Sequence, residues 1–263
     1  MIGAIIGDIV GDVYEFHNIK TKDFNFFGKK NSFTDDTVMT VCVAKALMDW
    51  NRKGTLEDFK ELLIDTMHGI GHKYPDCGYG GHFAMWILFN KREPYNSWGN
   101  GSAMRVSPCG FFANSLEEAQ ELAKASAEIT HNHPEGIKGA VATASAIYLA
   151  KDGKTKEEIK EYICKNYYKI DFTLDEIRPT YRFNESCQDT VPQALESFFE
   201  STDYEDAIRN CISVGGDSDT MAAICGGIAE AYYGIPDDIK ATGLSYLDDR
   251  LLNIVMEFQE FLQ

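Results

Sequence analysis

The sequence predicts an all-α fold. Apolar residues recur at helical spacing through most of the chain, clear period-two strands are scarce, and several helical segments open on residues that cap helix N-termini. Taken in order, the first segment spaces Gly3, Gly7 and Gly11 four apart. That places three positions without side chains on one helix face, where a neighbouring backbone can approach closely. Helical periodicity then runs through Val38 to Trp50, Leu116 to Thr130, Ile137 to Ala150, Lys156 to Tyr167, Tyr204 to Ile212, Met221 to Tyr233 and Leu247 to Leu262. Ser115, Thr155 and the pair Thr202-Asp203 each precede acidic first turns and read as N-caps. Loops are expected at Tyr74 to Gly81, Pro94 to Pro108 and Asp171 to Pro192. No linker or repeat interrupts residues 1–263, so one domain is expected.

Composition narrows the function classes. Lys and Arg number 25 against 41 Asp and Glu, a formal net charge of −16 among 263 residues. Broad nucleic-acid binding and attachment to anionic membranes are disfavoured by that average field, and no basic run overrides it. The longest apolar stretch falls short of the ~20 residues a bilayer span needs, and the first residues lack the basic region of a signal peptide. Seven scattered cysteines without a CxxC pair read as reduced, mostly buried thiols. The expectation is a cytoplasmic protein.

Two acidic clusters carry the chemistry. Thr34-Asp35-Asp36-Thr37 precedes the apolar run from Val38, and Gly215-Gly216-Asp217-Ser218-Asp219-Thr220 precedes the run from Met221. Each alone is explained by capping of orphan N–H groups and by the helix dipole. Together they offer carboxylate and hydroxyl oxygens, the donors hard cations prefer, and no His or Cys that would favour zinc. Asp35 and Asp36 diverge by about 100° on a helix, which suits separate or bridged ions. Asp217 and Asp219 can point to one side if the backbone there is extended. Magnesium or manganese is the expected metal. Glu15 adds a further carboxylate at the end of the first segment.

Between these clusters, Asn96-Ser97-Trp98-Gly99-Asn100-Gly101-Ser102-Ala103-Met104-Arg105 reads either as an ordinary turn or as a loop that cradles a diphosphate on backbone N–H groups, and it is neither a Walker loop nor a dinucleotide fingerprint. Thr130-His131-Asn132-His133-Pro134 reads as a helix–helix connection in which one histidine bonds a ligand or the backbone, not as a metal pair.

These residues resemble the ADP-ribosylglycohydrolase family. The likeness is carried by Gly3 to Asp8 with Glu15, Phe33 to Thr37, Asp76-Cys77-Gly78-Tyr79-Gly80, Gly99 to Arg105, Thr130-His131, Gly215 to Thr220 and Val191 to Ala194. It is strongest towards compact bacterial members. The resemblance implies an all-α fold with two Mg2+ or Mn2+ ions. Their ligands would be Thr34, Asp35 and Asp36 from one helix start and Asp217, Asp219 and Thr220 from the other, with Glu15 beside them as ligand or gate. It further implies that Ser97, Trp98, Gly99, Asn100 and Gly101 hold the diphosphate and distal ribose, that His131 contacts ADP-ribose, and that Asp76 and Gly78 lie near the substrate.

The implied reaction is metal-assisted hydrolysis at the anomeric carbon of the distal ribose, with Asp35 or Asp36 as general base. The acceptor, a protein side chain, a nucleobase or a small molecule, is left open. A monomer is expected. The alternatives are a non-catalytic ADP-ribose binder or crystallin-like protein, and a phosphohydrolase cutting the diphosphate.

Overall fold

Gly3, Gly7 and Gly11 set the centre of the molecule. The computed structural model describes residues 1–263, and its first helix, α1 (Ile2–Glu15), lays this glycine face against α13 (Ser218–Tyr233). A Cβ on Gly3, Gly7 or Gly11 would overlap backbone atoms of Gly226, Ala222 and Asp219 respectively. Gly226 reciprocates, lying against the carbonyl of Gly3. The two backbones therefore touch along most of their length, and Gly11 brings the end of α1 against the start of α13.

Around this pair pack α2 (Asp35–Trp50), α8 (Pro134–Lys151), α11 (Cys187–Phe199) and α12 (Tyr204–Val214). Further out lie α3 (Leu56–Gly71), α4 (Gly81–Leu88), α5 (Gly101–Met104), α6 (Ser107–Phe112), α7 (Leu116–Glu128), α9 (Lys156–Asn166), α10 (Leu174–Ile177), α14 (Asp237–Leu244) and α15 (Asp249–Phe261). No strand forms; a single isolated bridge joins Gly99 to Ser186. The all-α expectation holds. No helix is long and apolar enough to cross a membrane.

Each expected helix is present, and the expected caps act as caps. Ser115 Oγ accepts from Glu118 N at 3.0 Å, and Asp203 Oδ1 accepts from Asp206 N at 2.8 Å. Thr155 and Glu158 close a reciprocal capping box. The same device, Thr55 with Asp58, starts α3.

Two of the expected loops are shorter than the sequence indicates. The stretch Pro94 to Pro108 contains α5 and the start of α6, where Pro108 sits in the first turn and no intrahelical N–H is needed. The stretch Asp171 to Pro192 contains α10 and the first turns of α11, with Pro192 inside the helix. Pro192 supplies no N–H to the carbonyl of Gln188, an exposed residue, and the helix continues past it to Phe199. No cysteine is disulfide-bonded, and only Cys164 is exposed.

Candidate active site

The site forms where α1, α2 and α13 meet. Thr34 is the N-cap of α2, accepting from Asp36 N at 3.2 Å. Its own hydroxyl donates to Asp8 Oδ1 at 2.7 Å, and its backbone N–H donates to Asp8 Oδ2 at 3.0 Å. Thr37 turns its N–H and hydroxyl to the same carboxylate. Asp8 is thus a fully buried anchor that ties the start of α2 to α1. Burial pushes its pKa up to about 6 even though four donors favour the charged form.

The second cluster is built by backbone conformation. Gly215 and Gly216 both have positive φ, 73° and 84°, which turns the chain sharply between α12 and α13. Asp217 then occupies the N-cap of α13, and Asp219 lies in its first turn. The carboxylates of Glu15, Asp217 and Asp219 approach so that one oxygen from each lies within 4.8 Å of the others. Asp217 and Asp219 therefore do point to one side.

Asp35 and Asp36 face this trio across the same cavity, and the Thr220 hydroxyl reaches Asp36 Oδ1 at 3.4 Å, joining clusters 184 residues apart. Asp36 is buried and Asp35 is partly open to the cavity. Asp36 Oδ2 and Asp219 Oδ1 are buried with no hydrogen-bond partner. No lysine or arginine pairs with any of these acids.

The electrostatic consequence is large. Burial first, then the charges of Asp217, Asp12, Glu185 and Asp8, push Glu15 up to about 8. Burial, then Asp8, Asp217 and Glu15, push Asp35 to about 8. Asp36 and Asp219 are raised well above the carboxylate range, again by burial and then by neighbouring acids. Unpartnered buried oxygens and mutually repelling carboxylates fit a hard divalent cation, which would satisfy both. The residues present suit the implied metal.

The cavity is about 500 Å3, within the usual range for small-ligand clefts. Ser97, Gly99, Asn100 and Gly101 line one wall with His131, while Asp76 and Gly78 line another. A side chain at Gly78 would come within 3.3 Å of Asp35 Oδ1.

Trp98 departs from the expected arrangement, whereas Asn100 lines the cavity and is also bonded to the acidic centre. Trp98 is largely exposed, does not line the cavity, and packs edge-on against His133. Trp98 O accepts from Cys187 N at 3.0 Å and Gly99 bridges to Ser186, which ties the loop backbone to the start of α11 while the Trp98 side chain stays exposed. Asn100 donates its amide to Asp217 Oδ2 at 2.7 Å and Thr190 Oγ1 at 3.2 Å, tying the loop to the acidic centre. The histidines separate as expected: His133 Nδ1 caps α8 through Glu135 N, and His131 faces the cavity.

Sequence reasoning assigned no role to Asp8, Asp12 or Glu185. Asp8 lies on an apolar helix face, a pattern that could have marked it as a buried acid; Asp12 and Glu185 carried no local signal.

An all-helical fold with an acidic, metal-compatible cavity beside a glycine loop is the arrangement that the family resemblance implies. The ADP-ribosylglycohydrolase family model matches residues 1–260, and the chain belongs to that family. It is 26% identical to ADP-ribosylhydrolase ARH3 of Xenopus tropicalis, over 94% of this chain and 91% of that one. It is 24% identical to the ADP-ribosylarginine hydrolase Tri1 of Pseudomonas putida, over 89% of this chain and 70% of the relative. A solved ADP-ribosylglycohydrolase-related protein complex shares the fold, with a TM-score of 0.71 and 22% identity over 100% of this chain and 97% of that one.

Proposed function

We propose that this chain is a divalent-cation-dependent hydrolase that cleaves the bond between an acceptor and C1″ of ADP-ribose, releasing intact ADP-ribose. The observation that carries this reading is the meeting of two acidic helix starts, with unpartnered buried oxygens on Asp36 and Asp219, in a cavity that also contains the Ser97–Gly101 loop.

Thr34, Asp35 and Asp36 would hold cations from one side, and Asp217, Asp219 and Thr220 from the other. Mg2+ or Mn2+ bound there would supply Lewis-acid polarisation of ribose hydroxyls and of a water. Thr34 keeps one lone pair free after donating to Asp8 and accepting from Asp36 N, so capping and ligation are compatible. Glu15 closes the trio with Asp217 and Asp219 at the end of α1, where it can ligate or gate.

Asp35 is the more exposed carboxylate of its pair, which supports it over Asp36 as the group that would take the proton of the attacking water. Asp36, buried and bonded to Thr220, holds the two helix starts in register. Of the loop's backbone N–H groups, that of Gly99 bonds Ser97 Oγ and that of Asn100 bonds Glu185 O, so the Gly101 N–H, at the start of α5, is the one that would meet the diphosphate, leaving the ribose over the acids. The chain would work as one domain and as a monomer on ADP-ribosylated protein, nucleobase or small-molecule acceptors.

The test is product chromatography on substrates with defined arginine, serine and nucleobase linkages, with Mg2+, with Mn2+, and after chelation. Intact ADP-ribose, released only with a divalent cation, is the expected result. AMP with ribose phosphate as products, or full release after chelation, would sink the reading.

A further inference from the structure

Arg105 is the one cation buried against the cavity, and it has no acid partner. It is about 1% exposed, it lines the cavity, and none of the ion pairs includes it. Burial lowers its pKa to about 10, which leaves it charged at neutral pH. Its Nη2 donates to Ser126 O at 2.6 Å and to Thr130 Oγ1 at 2.8 Å. Thr130 Oγ1 in turn lies 2.7 Å from Nδ1 of His131. Both Thr130 and His131 are buried.

We infer that Arg105 and Thr130 are positioning residues that fix His131 as the neutral Nε2–H tautomer, aiming one hydrogen-bond donor at an oxygen of the ligand beside the glycine loop.

The direction of the chain follows from donor counting. A guanidinium only donates, so Thr130 Oγ1 must accept from Arg105. His131 Nδ1 is the one acceptor bonded to the Thr130 hydroxyl, and the reverse arrangement, with an Nδ1–H donating to Oγ1, would leave the buried hydroxyl hydrogen unpaired, so that hydrogen goes to Nδ1. With Nδ1 accepting, the ring proton of the neutral imidazole resides on Nε2. Protonation of His131 is opposed by burial and by the Arg105 charge. The Nε2 atom has no protein partner and sits against the loop: a Cβ on Gly101 would lie 3.1 Å from it, and one on Gly99 3.6 Å. Tyr95 fixes the ring plane from the other side, its centroid 5.8 Å from that of His131, and its backbone N–H bonds Thr130 O. The chain Arg105–Thr130–His131 thus ends in a single directed donor whose only available acceptor is a guest.

The structural half of this inference stands on the free protein; its ligand half rests on the ADP-ribose reading above. The experiment has two arms. In the first, nitrogen NMR of the unliganded 15N-labelled chain reads the His131 tautomer in the wild type, Thr130→Val and Thr130→Ser. Nε2–H in the wild type, lost in Thr130→Val and restored in Thr130→Ser, is expected. An Nδ1–H or doubly protonated ring in the wild type overturns the inference without any variant having to fold.

In the second arm, calorimetry with ADP-ribose and Mg2+ is expected to show binding about 5- to 30-fold weaker in Thr130→Val and recovered in Thr130→Ser, the loss of one directed hydrogen bond. A Thr130→Val chain that is destabilised but keeps its tautomer and affinity overturns it. A wild type with the stated tautomer that binds no ADP-ribose leaves the relay standing and removes the functional reading instead.

Discussion

Asp8 shows how much of this site depends on one side chain without an obvious role. It sits in the middle of an apolar helix and draws four donors from Thr34 and Thr37, which sets the direction from which Asp35 and Asp36 enter the cavity. The four acids of the two clusters were legible in the sequence because they stand directly before apolar runs. Asp8 was passed over because a single acid in a helix reads as a surface charge, although the apolar residues and glycines around it already pointed to burial.

The same residues set a pH dependence. Glu15 and Asp35 titrate near 8 in the folded chain without metal, against about 4 in an unfolded one, so the folded state holds extra protons between those limits. Stability of the metal-free protein is therefore highest at the acid end of that window and is lost as pH rises from about 4 to about 8. Bound divalent cation favours the ionised carboxylates and opposes the loss. Thermal unfolding across this range, with chelator and with Mg2+, should show a falling Tm only in the chelated sample. A flat profile without metal would contradict the electrostatic account.

At the level of elements, the contact between α1 and α13 does two jobs. It forms the centre of the core, and through Gly11 it sets Glu15 beside Asp219. Gly11→Ala places a Cβ onto backbone atoms of Ser218 and Asp219, which have no freedom to yield. Overpacking of this kind costs about 1–3 kcal/mol or more. Urea unfolding should register that loss, and Mg2+ affinity should fall with it; a variant of unchanged stability and metal affinity would show that the glycine face is not a constraint.

The glycine spacing announced such a close approach in the sequence, but not its partner. Helices with a long apolar stripe behind an N-cap, such as α7, α9 and α12, were equally legible, since both signals are local; α3 and α10 were missed although each opens on a capping box. The short α5 and the helical Pro192 were not legible. Their geometry is set by what they pack against, and Pro192, itself buried in α11, shows that packing outweighs the missing N–H.

For the molecule as a whole, a net charge of −16 opposes an anionic guest everywhere except where cations gather. The acids of the cavity invert that sign only when they hold metal, and the buried Arg105 behind His131 adds positive charge on the side of the glycine loop. Pattern alone could not show that acids 184 residues apart in sequence share one cavity, because nothing in their spacing encodes the meeting of α2 with α13. The ordered motifs of the family resemblance implied it, and the Asp36–Thr220 contact places them together.

The most direct test of that joint centre takes one residue from each helix start. Steady-state release of ADP-ribose should be measured with saturating Mg2+ for the wild type, Asp35→Ala and Asp217→Ala, each checked for folding. Both variants are predicted to lose about 100- to 10,000-fold in kcat, because each removes a carboxylate from the same reacting centre. Full activity in either one would contradict the account.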